Sequence, residues 1–356
     1  MRKMDKERVA ECISKTRTFY DTRAVGCALL KVKEIAAEPP VLIPLTDYRF
    51  PDDMYRYLDA RAMRYVNRME RRRELMDDTI PAEGPWYGIA EHTAFLGGRV
   101  DYERDTSWHH AVLEAPGELG KLAMDEENPV FKMVNGGIAY MREKYGEYFL
   151  PMVRGASGPL EMANTLRGNE FFYDFYEEPD ELKALLDYCA DALVWNYEKQ
   201  IQAAGDVYGG VVTGFGEWLP GRGLGHVSED TTTMISVELF EEFGRPRTEW
   251  VYRQFDEVFL HMHALSERCL AVAASMPNIR LMELSSDPNT DRAVEVYKRN
   301  REHFSNVIPV LRLTREEILG NMDLLKEQKT VVWYDASSME DAKDMVRLFA
   351  KELPVR

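Results

Sequence analysis

Residues 256–263 read DEVFLHMH, and three short runs of the same kind follow at 279–285 (IRLMELS), 307–313 (VIPVLRL) and 330–335 (TVVWYD). Each run is rich in aliphatic, aromatic and β-branched residues and has the length of a buried strand. The stretches between them are long enough for helices. Strands that alternate with helices are typical of right-handed βαβ units, which build a parallel sheet. These runs therefore predict an α/β fold.

The same alternation extends toward the amino terminus. Four more runs predict strands: VLIPLTDY (41–48), RVDYER (99–104), LPMVRGA (150–156) and DVYGGVVT (206–213). Helical patterns occupy 52–76, 178–205 and 236–255, with Ser236 as an N-cap and Gly205 as a C-terminal cap. Eight such strands close a barrel, so we expect a (β/α)₈ TIM barrel over 39–356, with an open doubly wound sheet as the alternative. The first 35 residues read as helix, which predicts a helical extension over 1–38.

Composition and charge restrict the class of partner. The 356 residues include 45 Lys and Arg against 61 Asp and Glu, a net charge of −16, which repels nucleic acid and anionic membrane surfaces. The amino-terminal sequence lacks the apolar stretch of a signal peptide, and no apolar run is long enough to cross a bilayer. The four cysteines form no CxxC pair. We therefore expect a reduced, cytoplasmic protein that binds a small molecule.

Ionisable residues recur at or near the carboxyl ends of the predicted strands, where barrel enzymes carry their active sites. They are Asp47, Asp105, Arg154, Glu217, His261, His263, Glu283, Arg312 and Asp335. Charged groups at the mouth of an apolar core are costly unless they pair or bind a ligand. The pattern predicts a ligand site at this rim, and the alternative is a set of loop salt bridges and helix caps.

The sharpest local feature is His261-Met262-His263. Residues i and i+2 of a strand share a face, so the two imidazoles converge at the end of one strand, and Glu283 ends the next. Two histidines and one carboxylate suit catalytic zinc or a non-haem metal. The alternative is a hydrogen-bonded pocket without metal.

A glycine-rich segment, GFGEWLPGRGLGH (214–226), predicts a mobile loop over the barrel mouth that offers Glu217, Arg222 and His226 to a ligand. Its glycines lie too far from the neighbouring strand and helix for a dinucleotide-binding turn. Arg154 and Arg312 suit the carboxylate or phosphate of a substrate.

The arginines at 61, 64, 68, 71 and 72 follow one helix face. We expect this face to be solvated or to contact another subunit.

Four segments together carry a family resemblance. They are GPLEMANTLRGNEFFYDFYEEPDELKALLDY (158–188), SEDTTTMISVELFEEFGRP (228–246), VFLHMHA (258–264) and VVWYDASSMEDAKDMVRLF (331–349). In these segments the chain resembles the uroporphyrinogen decarboxylase superfamily, and it is more similar to the cobamide-dependent methyltransferase branch. The resemblance implies a (β/α)₈ barrel with its site at the carboxyl face, and a homodimer.

In that branch a His-x-Cys on this strand and a later cysteine hold zinc, which activates a thiol to accept a methyl group from a corrinoid. His261 matches the histidine, but His263 stands at the cysteine position, and no cysteine follows Cys269. We infer that His263 and Glu283 replace sulfur ligands with nitrogen and oxygen. The expected cofactors are zinc and a corrinoid carried by a partner protein.

Three functions remain open. The first is a methyltransferase that uses a corrinoid or a small anionic substrate, with His261, His263, Glu217, Arg154 and Arg312 as catalytic residues. Cofactor-binding residues would then be Arg222, His226 and Asp335. The second is tetrapyrrole decarboxylation, which in the haem-pathway relative needs no metal but needs an amino-terminal arginine loop, where this chain reads TDYRFPDD (46–53). The third is a non-catalytic ligand-binding barrel.

Overall fold

The four apolar runs of the carboxyl-terminal third form neighbouring strands of one parallel sheet, as expected. The computed structural model describes residues 3–40 and 42–355. Its strands are β1 (Cys27–Ile35), β2 (Ala82–Glu83), β3 (Val100–Tyr102), β4 (Ser107–His109), β5 (Leu150–Pro151), β6 (Ala156–Ser157), β7 (Gly210–Val212), β8 (Trp218–Pro220), β9 (Gly223–Ser228), β10 (Glu257–His263), β11 (Ile279–Ser285), β12 (Ile308–Leu313) and β13 (Lys329–Ala336). The main sheet has seven strands in the order β1-β13-β12-β11-β10-β9-β6, and all its pairs are parallel.

Helices cover this sheet and confirm the α/β class. They are α1 (Lys6–Asp21), α2 (Met54–Arg71), α3 (Pro129–Tyr145), α4 (Pro159–Arg167), α5 (Phe171–Glu177), α6 (Pro179–Ala204), α7 (Val237–Leu239), α8 (Arg245–Tyr252), α9 (Leu270–Ala274), α10 (Ala293–Arg299), α11 (Arg315–Gly320), α12 (Met322–Glu327) and α13 (Met339–Glu352). The side chain of Ser236 caps α7, and Gly205 ends α6 at φ 73°, as predicted. No helix in the described ranges has both the length and the apolarity to cross a membrane.

The prediction of helix through residue 35 is wrong for 27–35, which form β1. This strand pairs with β13, so it belongs to the main sheet and not to a separate extension. Both of its faces are buried: Leu29 and Lys31 lie on one side, and Leu30 and Val32 lie on the other. A strand buried on both faces lacks a simple alternation of polar and apolar residues, which explains the error.

Three other strand predictions also fail or shift. Residues 42–48 form no strand; a 3-10 turn at Leu45–Asp47 stands there, and position 41 lies outside the described residues. Pro44 precedes this turn and lacks the N–H that a strand would use. The runs at 99–104 and 206–213 do contain strands, but β3 and β7 form antiparallel pairs with β4 and β8 outside the main sheet.

The two faces of the sheet pack into two separate apolar cores. One face carries Leu29, Phe259, Leu281, Val310 and Val331, which pack with β7 and β8; we call it the site face. The other face packs against the helices in a larger core. Toward the carboxyl ends of the strands, the site face changes from these apolar residues to charged and histidine side chains.

Short backbone links extend beyond the seven strands. Asp78 N–H donates to Leu30 O of β1 at 2.8 Å, and Leu150 N–H donates to Pro81 O at 2.8 Å. Val153 N–H donates to Val212 O at 3.0 Å. The segments around β2 and β5 therefore lie, hydrogen-bonded in sequence, between β1 and β7.

Candidate functional site

Strand alternation brings His261 and His263 of β10 together on the site face. Their Nε2 atoms lie 3.1 Å apart, and the ring planes are nearly perpendicular, at 83°. The side chains are 12% and 26% exposed, so the pair is partly buried but reachable from solvent. The two imidazoles therefore converge as predicted.

A carboxylate faces the other nitrogen of each ring. His261 Nδ1 lies 2.7 Å from Glu283 Oε2, because β10 and β11 pair in register at these residues. His263 Nδ1 lies 2.6 Å from Asp287 Oδ1, just beyond β11. An ionised carboxylate only accepts, so each Nδ1–H donates, and in a neutral ring the Nε2 then keeps its lone pair. Two lone pairs that face each other require a proton or a cation between them.

Asp230 supplies an acceptor at this position. It opens the 3-10 turn Asp230–Thr233 after β9, and its Oδ1 lies 3.4 Å from His263 Nε2 and 3.6 Å from His261 Nε2. This oxygen is buried and has no hydrogen-bond partner among the described residues. Separations of 3.1 to 3.6 Å match neighbouring ligands around a tetrahedral ion with bonds of about 2.0–2.2 Å. Asp230, His261 and His263 thus form one cluster with metal-ligand spacing.

A second cluster of His226, His261 and Glu283 has a different character. Glu283 Oε2 lies 2.8 Å from His226 Nε2 and 2.7 Å from His261 Nδ1, and Ser285 Oγ–H donates to Oε1 at 3.0 Å. These distances are typical of hydrogen bonds, and the carboxylate already accepts three of them. We expected Glu283 to bind the metal; its contacts instead suit it to orient the two rings.

His226 reaches the site through a bulge in β9. The pairing of β9 with β10 runs Phe259 with Gly225 and then Leu260 with Val227, so His226 is the extra residue. Gly225 has φ 144°, and a Cβ there would lie 2.6 Å from Phe259 O. We predicted a mobile loop over 214–226, but this part of it is a buried strand.

Burial and neighbouring charge set the protonation of these groups. Burial lowers the pKa of His226 to about 4. The Asp230 carboxylate raises the pKa of His263 to about 9. Burial alone would raise the pKa of Glu283, but the adjacent His261 and His226 bring it below its usual range. The site therefore combines an ionised Glu283 with a neutral His226.

Behind Asp230 lie two further buried acids. Glu229 accepts from Thr248 Oγ1 at 2.9 Å, and its Oε2 has no partner among the described residues. Burial raises the pKa of Glu229 and of Glu161 to about 8. The neighbouring His263 and His261 instead lower the pKa of Asp230 below its usual range, so Asp230 is the first of these three carboxyls to ionise.

Glu217 lies deeper than expected. It is fully buried, with Oε2 2.6 Å from Lys31 Nζ, and it accepts from Trp333 Nε1 at 2.9 Å. Lys33, two residues along β1, lies 4.0 Å from Glu217 Oε1 and donates to Phe215 O at 2.5 Å. We predicted a loop residue free to bind a ligand; the structure has a buried counterion for the lysines of β1.

The predicted arginines fall into two groups. Arg154 is buried, pairs with Glu91 and stacks 4.4 Å over Trp86, and Arg312 forms a two-pronged ion pair with Asp335 at 2.6 and 2.8 Å. Both line a cavity on the site face. Arg222 precedes the amino end of β9 and pairs with Glu198. It therefore lies at the opposite end of the strands from the histidines.

This cavity has a volume of about 650 Å³ and lies between β1 and α2. Its charged lining residues are Lys31, Lys33, Glu34, Glu38, Arg61, Arg68, Arg72, Glu83, Arg154 and Arg312. Arg61 and Arg72 are buried here, so the expected solvated arginine face is wrong for these two residues. Phe215 joins the cavity to the histidines, since its ring lies 4.3 Å from that of His226.

Sequence reasoning missed Asp230, Asp287, Lys31 and Lys33. Asp230 follows β9, which was predicted as part of a loop, so its place at a strand end was not recognised. Asp287 lies two residues beyond β11, whose end was predicted correctly, but only residues within this predicted strand were considered. The lysines were hidden because β1 was read as helix. The other strand-end acids, Asp47 and Asp105, are exposed and do not join the cluster.

Comparison with known proteins gives no match for this chain, either among protein-family models or among curated proteins.

Proposed function

We propose that the chain is a metal-dependent enzyme whose ion is held by Asp230, His261 and His263. The observation that carries this proposal is the orphaned Asp230 Oδ1, which lies 3.4 and 3.6 Å from two imidazole nitrogens that already face each other. A buried polar atom without a partner is costly, and a cation at this position would satisfy three groups at once. Asp230 replaces Glu283 as the proposed oxygen ligand.

The donor set fits zinc or a non-haem divalent metal. Two imidazoles and one carboxylate leave further positions open, and the partial exposure of Asp230 and His263 gives a substrate access. Glu283 and Asp287 accept from the distal nitrogens, which fixes both tautomers. When bound, such an ion supplies Lewis acidity at its open position.

We also propose that the sheet belongs to a (β/α)₈ barrel. The support is the set of backbone hydrogen bonds that Asp78 donates to β1, Leu150 donates to Pro81 and Val153 donates to Val212. With these hydrogen bonds, the segments near β2 and β5 would supply the remaining strands of the barrel between β1 and β9. The candidate site would then lie at the carboxyl face, where barrel enzymes carry their catalytic residues.

Among the three functions left open, methyl transfer to or from a small anionic substrate is the one we favour. The tetrapyrrole decarboxylase of the family that this chain resembles uses no metal. Asp230, His261 and His263, in contrast, have the spacing of metal ligands. A corrinoid would supply the methyl group, and Asp230, His261 and His263 would hold the ion that favours loss of the acceptor's proton. A corrinoid protein, a homodimer and a cytoplasmic location remain predictions.

Metal analysis tests the centre directly. Protein purified without an affinity tag should carry close to one equivalent of a divalent metal, measured by inductively coupled plasma mass spectrometry. Asp230→Asn and His263→Gln should each lose most of it. His110→Gln is the matched control, because His110 is exposed and contacts Asp101 away from the site. Less than a tenth of an equivalent in the wild type, after incubation with zinc or iron(II), would refute the metal assignment.

Activity separates the candidate reactions. We expect turnover in a methylcobalamin-to-acceptor assay that falls at least a hundredfold in His261→Ala. Conversion of uroporphyrinogen under anaerobic conditions, unaffected by metal removal, would instead favour the decarboxylase. Tight ligand binding without chemical change in either assay, and a pocket that tolerates loss of both histidines, would favour the non-catalytic barrel.

A further inference from the structure

The cavity between β1 and α2 contains more cationic than anionic side chains. Seven lining residues are lysine or arginine and three are glutamate, although the whole chain has a net charge of −16. Such a concentration of positive charge in an acidic protein is typical of a site for an anion.

Six of these cations have a carboxylate partner. Lys31 pairs with Glu217, Arg61 with Glu83, Arg68 and Arg72 with Glu38, Arg154 with Glu91, and Arg312 with Asp335. Arg154 and Arg312 can therefore donate to a ligand in the cavity only through the N–H groups that do not bond their carboxylate partners. These pairs form the walls of the cavity and hold its shape.

Lys33 is the exception. Among the described residues, no carboxylate oxygen lies closer than 4.0 Å to its Nζ, and that oxygen belongs to Glu217, which already neutralises Lys31 at 2.6 Å. Lys33 donates to the backbone oxygen of Phe215 at 2.5 Å, which is its one close acceptor in the part of the chain that the structure describes. The side chain is only 22% exposed and lies 4.0 Å over the Trp333 ring. A largely buried ammonium with so little compensation is expected to gain a counterion.

The position of Lys33 relates it to the histidines. Phe215, whose carbonyl accepts from Lys33, has its ring 4.3 Å from His226, and His226 lies 4.3 Å from His261. Arg312 lines this cavity and also a second one of about 570 Å³ that includes Ser285, the register partner of His263. An anion at Lys33 could thus belong to a molecule that extends toward the histidine cluster.

We propose that Lys33, assisted by Arg312, binds the carboxylate or phosphate of the substrate in the β1–α2 cavity. The inference that the other end of this substrate reaches Asp230, His261 and His263 rests on the proposed function; anion binding itself does not. The substrate class is therefore a small molecule with an acidic group at one end and its reacting atom at the other.

Isothermal titration with succinate and with inorganic phosphate tests the subsite. We expect the wild-type protein to bind at least one of them, and the tighter ligand identifies the acidic group. Lys33→Met should weaken binding at least tenfold, because it removes the charged donor of a hydrogen bond to the anion. Lys33→Arg should keep it within about threefold, because the positive charge remains. Lys132→Met is the matched control, as Lys132 is exposed and pairs with Glu127.

The same titration on protein stripped of metal by a chelator separates this inference from the proposed function. Retained binding that still depends on Lys33 supports the subsite even if the metal assignment fails. Thermal unfolding of Lys33→Met checks that the variant is folded, and Lys33→Arg supplies the second variant if it is not. Binding that is unchanged in Lys33→Met, absent for both anions, or lost when metal is removed would overturn the proposal.

Discussion

The Nε2 atoms of His261 and His263 lie 3.1 Å apart, while their Nδ1 atoms face two different carboxylates, those of Glu283 and Asp287. The two carboxylates fix the tautomers and direct both lone pairs at one point. The two rings therefore offer two nitrogen ligands to one ion. Removal of either carboxylate should weaken metal binding although both nitrogen ligands remain.

Asp287→Asn tests this arrangement. The amide cannot accept as strongly from His263 Nδ1–H, so we expect metal affinity to fall about 10–100-fold. Competition against a chromophoric zinc chelator measures the change. Asp291→Asn is the matched control, because Asp291 is in the same loop and its exposed carboxylate accepts from Arg299 rather than from a histidine. Equal affinity in the two variants would mean that Asp287 only caps the backbone N–H of Leu265.

The buried pair of Lys31 and Glu217 predicts a large effect on stability. Glu217→Leu leaves the Lys31 ammonium without its carboxylate at 2.6 Å and removes the acceptor of Trp333 Nε1. We expect the free energy of unfolding to fall by about 3–5 kcal/mol. Urea denaturation measures it. Adding Lys31→Met should restore much of the loss, and a double variant no more stable than Glu217→Leu would contradict the account.

Gly225 should not tolerate a side chain. A Cβ at φ 144° would lie 2.6 Å from Phe259 O, so Gly225→Ala must shift the β9 bulge and displace His226. We expect a loss of about 1–3 kcal/mol of unfolding free energy. Gly136→Ala, in the interior of α3 with open space around it, should instead stabilise by about 0.5–1 kcal/mol. Circular dichroism melts compare the two, and equal shifts would refute the clash.

Anion binding at Lys33 should weaken as pH rises through about 8. Burial lowers the Lys33 pKa to about 8; Glu217 and Glu283 oppose this effect, and Lys31 and Arg312 reinforce it. Succinate is fully ionised throughout this range, so the lysine is the group that changes charge. Titration at pH 7 and pH 9 should show the loss in the wild type but not in Lys33→Arg. The same pKa makes the folded protein gain stability between about pH 8 and 10.5, since there the unfolded state binds the proton more strongly.

The local sequence pattern was sufficient to predict the strands and helices in the regularly alternating part of the chain. The strands β10 to β13 and the helices α2 and α6 are found where periodicity places them, and the i, i+2 rule correctly brings His261 and His263 to one face. These features depend on residues that are neighbours in the chain. A closed barrel stays a proposal, because its closing links are short and irregular.

Features that depend on distant pairing were not accessible in the same way. The face that β1 presents is decided by its register with β13, and the His226 bulge exists only relative to β10. Asp230 becomes a partner of the histidines because the turn after β9 folds back beside β10. None of these relationships leaves a periodic signal in the sequence.

The two halves of the proposed site come from separate parts of the chain. Asp230, His261 and His263 belong to one compact segment around β9 and β10, whereas Lys33 comes from β1 near the amino terminus. Substitutions in one segment can therefore alter which molecules are accepted without disturbing the chemistry encoded in the other. Such a division would let descendants of this chain acquire new substrates in small, viable steps.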